Sequence, residues 1–151
     1  MRNSSEVLAS FLEGANKVIL ALDYSGSIDT RYHNNFINTV SKATADNSEV
    51  TINVVGFDHQ VITVAQVKGN KLGDVYVPDI GGGGGNIENV LDYALTVGAD
   101  KVIVFTDGVF DHKPLNAPRF SRLQNMWVID YVFPFTFDVP DGQTIRTLGG
   151  A

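Results

Sequence analysis

KVILALDYSGS, residues 17–27, is the most informative segment of the chain for its fold. Its first part, residues 17–22, is a nearly continuous apolar run that ends at Asp23. Such a run predicts a central parallel strand, because a strand covered on both faces has no solvent side to alternate with. A second run of this kind, KVIVF at residues 101–105, is followed closely by Asp107. The sequence therefore predicts two buried parallel strands, each with an aspartate at its end.

Strand and helix patterns alternate around these two runs. Apolar residues at i, i+3, i+4, i+7 and i+8 predict a helix that is capped by Asn86 and ended by Gly98. Residues 60–67 alternate apolar and polar side chains after a tight connection, which predicts a hairpin to a half-exposed edge strand. The other predicted elements are helices over residues 4–15 and 28–45, strands over 49–57 and 126–133, an extended segment over 74–77, a short helix after 118, and an edge strand over 144–148. Together they predict an α/β fold with a doubly wound, mostly parallel, Rossmann-like sheet, one antiparallel edge strand and helices on both faces.

The composition predicts a single soluble domain over residues 1–151. The net charge of −6, without a Lys/Arg stripe, argues against a nucleic-acid partner. No cysteine occurs, which excludes disulfides and thiolate zinc sites and leads us to expect a cytoplasmic protein. The sequence shows neither a secretion signal nor the roughly 20 consecutive apolar residues that span a bilayer, so no membrane association is expected.

Polar residues at the two strand ends predict a metal site. Ligands of doubly wound sheets bind beyond the carboxyl ends of the strands, where the strand order reverses. If the two apolar strands are neighbours there, Asp23 and Asp107 converge with Ser25 and Ser27. Oxygen ligands without His or Cys suit a hard cation, so Mg²⁺ is expected, with Mn²⁺ or Ca²⁺ as substitutes.

These residues also carry a family resemblance. Asp-Tyr-Ser-Gly-Ser at residues 23–27 resembles the Asp-x-Ser-x-Ser signature of the metal-ion-dependent adhesion site (MIDAS) in the von Willebrand factor A (VWA) family. Thr-Asp-Gly at residues 106–108 resembles the later aspartate motif of that site. The chain is most similar to the compact VWA-like domains of bacteria and phages, and the resemblance extends from residue 17 to about residue 133.

The resemblance implies a particular set of metal ligands. In the family the serines bind the ion directly, the aspartates act largely through water or hydrogen bonds, and a partner's carboxylate completes the coordination sphere. The family's glycine-rich loop carries a threonine where this chain has Gly85, followed here by Asn86. Either the amide oxygen of Asn86 or a water is expected to replace the missing hydroxyl. The metal ligands implied are Asp23, Ser25, Ser27, Asn86 and Asp107.

The resemblance further implies a non-enzymatic module that binds a divalent cation and docks an acidic group of a protein partner. Compact VWA-like proteins are commonly associated with MoxR-type AAA+ ATPases, which makes such an ATPase the expected partner. An alternative is a degenerate phosphohydrolase of the haloacid dehalogenase type, since residues 23–27 also echo its Asp-x-Asp-Gly-Thr motif. Ser25 argues against this alternative, because that family's acid–base aspartate is absent there. Nucleotide binding is a weaker alternative, since neither standard glycine-rich motif is present.

Several other polar residues receive structural interpretations. Asp58 is predicted to be a turn residue of the hairpin. The three histidines, His33, His59 and His112, show no metal-ligand spacing, so surface or capping positions are expected for them. Asp111 is expected, together with His112, at the rim of the crevice.

Overall fold

The computed structural model describes residues 4–24, 30–78, 85–106, 111, 113–130 and 144–148. Within these residues the chain forms three α-helices, six strands and three short 3-10 helices. The main elements are α1 (Ser4–Leu12), β1 (Lys17–Asp23), α2 (Thr30–Ala43), β2 (Thr51–Phe57), β3 (Val61–Lys68), α3 (Ile87–Thr96), β4 (Lys101–Thr106), β5 (Gln124–Asp130) and β6 (Thr144–Leu148). The 3-10 helices are Gly69–Asp74, Lys113–Asn116 and Pro118–Phe120.

The strands form a six-stranded sheet in the order β3-β2-β1-β4-β5-β6. Only the β2–β3 pair is antiparallel, and the other four pairs are parallel. The predicted fold class is therefore confirmed, including the antiparallel edge strand β3. The strand order reverses between β1 and β4, which are neighbours in parallel register from Val18–Lys101 to Leu22–Phe105. The two apolar strands thus place their carboxyl ends side by side.

Side chains along β1 alternate between the two faces of the sheet, and helices cover the apolar surface on each face. Leu20 and Leu22 pack in a core with residues of α1 and α2. Ile19 and Ala21 pack in a second core with residues of α3. All four are fully buried, and burial of a leucine or isoleucine side chain contributes roughly 1.5–3 kcal/mol.

Helix α2 packs on the sheet through one apolar stripe. Its buried residues are His33, Phe36, Ile37 and Val40, which follow the helical period. The ring of Phe36 stacks on that of Phe105 in β4, with 4.8 Å between the ring centroids. This contact fixes the start of α2 over the end of β4.

The segment predicted as extended over residues 74–77 differs from the prediction in its first residue. Asp74 is the last residue of a 3-10 helix, and an extended segment follows from Val75. Val77 is buried, and its backbone bonds to the side chain of Asn34 in α2 rather than to a strand. The other elements begin and end within about three residues of their predicted bounds wherever those bounds fall on described residues. No helix in the described ranges is long and apolar enough to cross a membrane.

Candidate functional site

Asp23 is the last residue of β1, and its side chain is completely buried. Thr106, the last residue of the neighbouring strand β4, donates its hydroxyl to Asp23 Oδ2 at 2.6 Å. Both side chains are inaccessible to solvent, so the hydrogen bond is shielded from competing water. The carboxylate of Asp23 is therefore held at the point where the strand order reverses.

The backbone of Asp23 is held by a second contact. His33 Nε2 lies 2.7 Å from the carbonyl oxygen of Asp23. A carbonyl oxygen only accepts hydrogen bonds, so Nε2 carries the proton. The imidazole is fully buried between the rings of Tyr24 and Phe105, at centroid distances of 4.4 and 6.0 Å. A surface position for His33 is therefore wrong, because the topology brings α2 over the end of β1 and the ring caps that strand end.

Tyr24 connects the same strand end to two other segments. Its backbone N–H donates to the carbonyl of Phe57 at the end of β2, at 2.8 Å. Its hydroxyl donates to the carbonyl of Pro78 at 2.6 Å. Pro78 is the last described residue before the glycine run, so Tyr24 joins the Asp-Tyr-Ser-Gly-Ser segment to the approach to that run.

Asn86 caps helix α3, as predicted. Its side-chain oxygen accepts a hydrogen bond from the backbone N–H of Asn89 at 3.3 Å. The backbone N–H of Asn86 donates to the carbonyl of Asp58 at 2.7 Å. An amide oxygen has two lone pairs, so the capping bond leaves one acceptor position of Asn86 for another partner.

The tip of the β2–β3 hairpin contacts the start of α3, where Asn86 lies. Asp58 is a turn residue, as predicted, because its Oδ1 accepts the backbone N–H of Gln60 at 2.9 Å. His59 is exposed, as expected, and lies 3.4 Å from Asp58 Oδ1. Asn89 Nδ2 donates to the carbonyl of His59 at 2.9 Å. Two hydrogen bonds, from Asn86 and Asn89, therefore join the hairpin tip to the start of α3.

A polar pocket opens beside the start of α3. It is lined by Gly85, Asn86, Ile87, Glu88, Asp111 and Pro114. Asp111 thus lines the same pocket as Asn86, whereas His112, for which a place beside Asp111 is predicted, lies outside the described residues. Arg119 bonds to Glu88 at 2.7 Å and to Asp92 at 3.2 Å, and these hydrogen bonds raise the pKa of the guanidinium group above its usual value.

The structure places only part of the predicted ligand set. Asp23 and Asn86 are described, whereas Ser25, Ser27 and Asp107 lie outside the described residues. Asp107 follows Thr106 directly in the chain, so its backbone is attached to the strand end that contacts Asp23. Across the described residues no three His, Cys, Asp or Glu side chains come together in a way that would hold a metal ion.

The oxygen-bearing side chains described at the strand ends are of the chemical type that a hard cation prefers. Asp23 and Thr106 supply a carboxylate and a hydroxyl, both hard oxygen groups, and the sequence contains no cysteine. The sequence places Thr106 in the Thr-Asp-Gly motif but predicts no site role for its side chain, and it predicts no site role for His33. A hydroxyl at the end of an apolar strand was the available signal for Thr106, and the three-residue spacing to Phe36 was the signal for His33.

The strand order and the position of the site define a class of protein, the doubly wound α/β domains. Residues 18–146 match the family described as VWA-like domain (DUF2201), and the chain belongs to this family. No curated protein matches the sequence.

Solved structures from other organisms are similar to this chain in fold. BatB from Bacteroides thetaiotaomicron has a TM-score of 0.59 at 16% identity, over 76% of this chain and 66% of that one. An aerotolerance-related membrane protein from Bacteroides fragilis has a TM-score of 0.57 at 16% identity, over 75% and 66%. The ArnB paralog VWA2 from Sulfolobus acidocaldarius has a TM-score of 0.59 at 15% identity, over 87% and 40%. The matched part is therefore just under two thirds of the Bacteroides chains and well under half of the Sulfolobus chain, and at these identities the likeness concerns the fold alone.

Proposed function

We propose that this protein is a non-enzymatic interaction module that binds a divalent cation and, through it, docks a carboxylate of a protein partner. The observation that carries the proposal is the buried hydrogen bond between Asp23 and Thr106 at the junction of β1 and β4. It brings an aspartate of one predicted motif into contact with the residue that begins the other. Family membership supports the same reading, because a VWA-like domain suggests a protein-interaction module.

The proposed ligand set is Asp23, Ser25, Ser27, Asn86 and Asp107. Serine hydroxyls would be the direct ligands, and the aspartates would orient water and hydroxyls around the ion. A cation whose direct protein ligands are mostly neutral keeps much of its charge, and so attracts an anionic oxygen from outside. Mg²⁺ is the preferred ion, with Mn²⁺ or Ca²⁺ as substitutes. The residues of this chain would position the cation, and the cation would give the docking point its positive charge.

The proposed partner is a MoxR-type AAA+ ATPase that presents an acidic side chain, in a cytoplasmic setting. This part of the proposal rests on the resemblance of the Asp-Tyr-Ser-Gly-Ser segment to compact VWA-like proteins. The phosphohydrolase alternative is not favoured by the family match, and Ser25 lacks the carboxylate that its acid–base step requires.

Calorimetric titration with Mn²⁺ tests the metal site. We expect the wild-type protein to bind the ion, and Asp23→Ala or Ser25→Ala to abolish binding. Because the ligand binds only the folded state, Mn²⁺ at 100 times its dissociation constant should stabilise the wild type by about 2.7 kcal/mol. Asp46→Ala is the matched control, since Asp46 is an exposed carboxylate in the turn after α2. Equal responses from wild type and all three variants would contradict the proposal.

The docking step is tested on the same proteins. We expect a MoxR-type ATPase to be retained by immobilised wild type and Asp46→Ala in the presence of Mg²⁺, and released by EDTA. Retention that survives EDTA, or that Asp23→Ala leaves intact, would show that the partner does not bind through the ion.

A further inference from the structure

The first turns of α2 contact two separate segments of the candidate site through adjacent residues. His33 and Asn34 follow each other in the chain, but their side chains bond in different directions. His33 bonds to the end of β1, and Asn34 bonds to the extended segment after the 3-10 helix Gly69–Asp74. Two consecutive residues of α2 therefore contact both the end of β1 and the extended segment at Val77.

His33 links the described residues on either side of residues 25–29. Its Nε2 donates to the carbonyl of Asp23 at 2.7 Å, and His33 itself lies near the start of α2. Residues 25–29 are attached between Tyr24 and Thr30, so this bond joins the two flanks of that segment. With the ring fully buried, the distance between these flanks is set by a contact that water does not reach.

Asn34 holds the approach to the glycine run. Its Oδ1 accepts the N–H of Val77 at 2.9 Å, and its Nδ2 donates to the carbonyls of Val77 at 3.2 Å and Thr30 at 3.0 Å. The amide thus pairs with both backbone groups of Val77, in the manner of a strand. Pro78, the next residue, accepts the hydroxyl of Tyr24 at 2.6 Å, and the ring of Tyr24 packs on that of His33.

We propose that His33 and Asn34 are positioning residues, a two-residue clamp that holds the end of β1, at Asp23, and the extended segment at Val77 and Pro78 at a fixed separation. The inference rests on the proposed function, because the purpose of the clamp is to prepare the cation site. Neither residue is a ligand. Each acts through the backbone that it holds, which is the carbonyl of Asp23 for His33 and the N–H and carbonyl of Val77 for Asn34.

The physical basis is preorganisation. A cation that gathers oxygen atoms from several segments must overcome the conformational entropy of those segments unless they are already held in place. Hydrogen bonds that orient metal ligands from behind typically change metal affinity by about 10–100-fold when they are removed. The clamp makes the two hydrogen-bonded flanks part of the rigid helix–sheet packing.

Five variants separate positioning from simple destabilisation. Asn34→Leu removes all three side-chain hydrogen bonds, and Asn35→Leu changes the exposed neighbouring residue as a matched control. His33→Gln keeps an N–H donor near the position of Nε2, so it should behave closer to wild type than His33→Leu. Ile37→Val loosens the buried face of the same helix without touching the clamp.

Three measurements are made on each variant: Mn²⁺ titration, hydrogen exchange of the metal-free protein and chemical denaturation of the metal-free protein. We expect Asn34→Leu and His33→Leu to raise the Mn²⁺ dissociation constant about 10–100-fold. Asn35→Leu and Ile37→Val should leave it within about twofold, although Ile37→Val lowers the denaturation midpoint. Exchange at the Val77 amide should be faster in Asn34→Leu alone.

The outcomes distinguish the clamp from the proposed function. If the wild type binds no Mn²⁺, the proposed function fails, while faster exchange at the Val77 amide of Asn34→Leu still supports the clamp. If the wild type binds and Asn34→Leu binds equally well, the clamp is overturned and the metal site stands. Weakening by Ile37→Val as large as by Asn34→Leu would also overturn the clamp, since general destabilisation would then explain both.

Discussion

At the scale of single residues, the central feature is a buried carboxylate with a defined partner. Burial of an ionised group is costly unless hydrogen bonds satisfy it. Asp23 is fully buried, and the Thr106 hydroxyl supplies one of those bonds from the adjacent strand. The apolar run that predicts β1 thus ends in a buried carboxyl group that a hydrogen bond from the neighbouring strand stabilises.

Replacement of Thr106 by Val tests this stabilisation. Valine keeps the size and branching of threonine but removes the donor to Asp23 Oδ2, so we expect a loss of about 1–3 kcal/mol in the free energy of unfolding. Thr106→Ser should lose less, because it retains the hydroxyl. The control is Thr63→Val on exposed β3, for which a change within about 0.5 kcal/mol is expected. Urea unfolding in EDTA measures all three, and equal stability of Thr106→Val and wild type would contradict the argument.

At the scale of elements, α3 agrees in detail with the sequence pattern. Asn86 accepts from Asn89 at its start, and Gly98 adopts a φ of +72° just beyond its end, as a glycine that terminates a helix commonly does. Its buried residues Ile87, Val90, Leu91 and Ala94 are those that the periodicity indicates. The cap matters for the site, because it fixes Asn86 at the edge of the polar pocket.

Substitutions of Asn86 test its capping role in the absence of metal. In EDTA, Asn86→Ala should lower the free energy of unfolding by about 1 kcal/mol, because the Asn89 N–H loses its acceptor. Asn86→Ser should remain close to wild type, since serine is an equally good cap. Thermal unfolding measures the difference. A serine variant as unstable as the alanine variant would show that capping is not the source of the effect.

At the scale of the whole molecule, the sheet separates two hydrophobic cores. One contains Phe36, Ile37 and Phe105, and the other contains Ile87 and its neighbours on α3. Among the described residues the two cores have no member in common, whereas the stacked rings of Phe36 and Phe105 in the first core are 4.8 Å apart between centroids. Energetic coupling should therefore follow the faces of the sheet.

A pair of double-mutant cycles tests this separation. We expect Phe36→Leu with Phe105→Leu to show a coupling energy of about 0.5–1.5 kcal/mol, because the stacked pair contributes beyond its burial. Ile37→Val with Ile87→Val should instead add within about 0.5 kcal/mol. Chemical denaturation gives all the free energies. Strong coupling across the sheet, or none between the rings, would contradict the division into two cores.

Local patterns in the sequence predict most of the helices and strands of the fold. The apolar runs predicted β1 and β4, the alternation over residues 60–67 predicted the edge strand, and the cap of α3 was evident from Asn86. Asp23 was also evident, as a charged residue at the end of an apolar run. These features depend on neighbours within a few residues, so a single sequence contains them.

Contacts between distant residues required the folded chain. His33 bonds to a carbonyl ten residues away, and Asn34 pairs with Val77, 43 residues away. Thr106 meets Asp23 across 83 residues. Histidine, asparagine and threonine find hydrogen-bond partners in many settings, and nothing in their own neighbourhood specifies which one. The choice follows from the strand order β2-β1-β4 and from the packing of α2 over it, which bring these groups together and bury Asp23, His33 and Thr106 away from competing water.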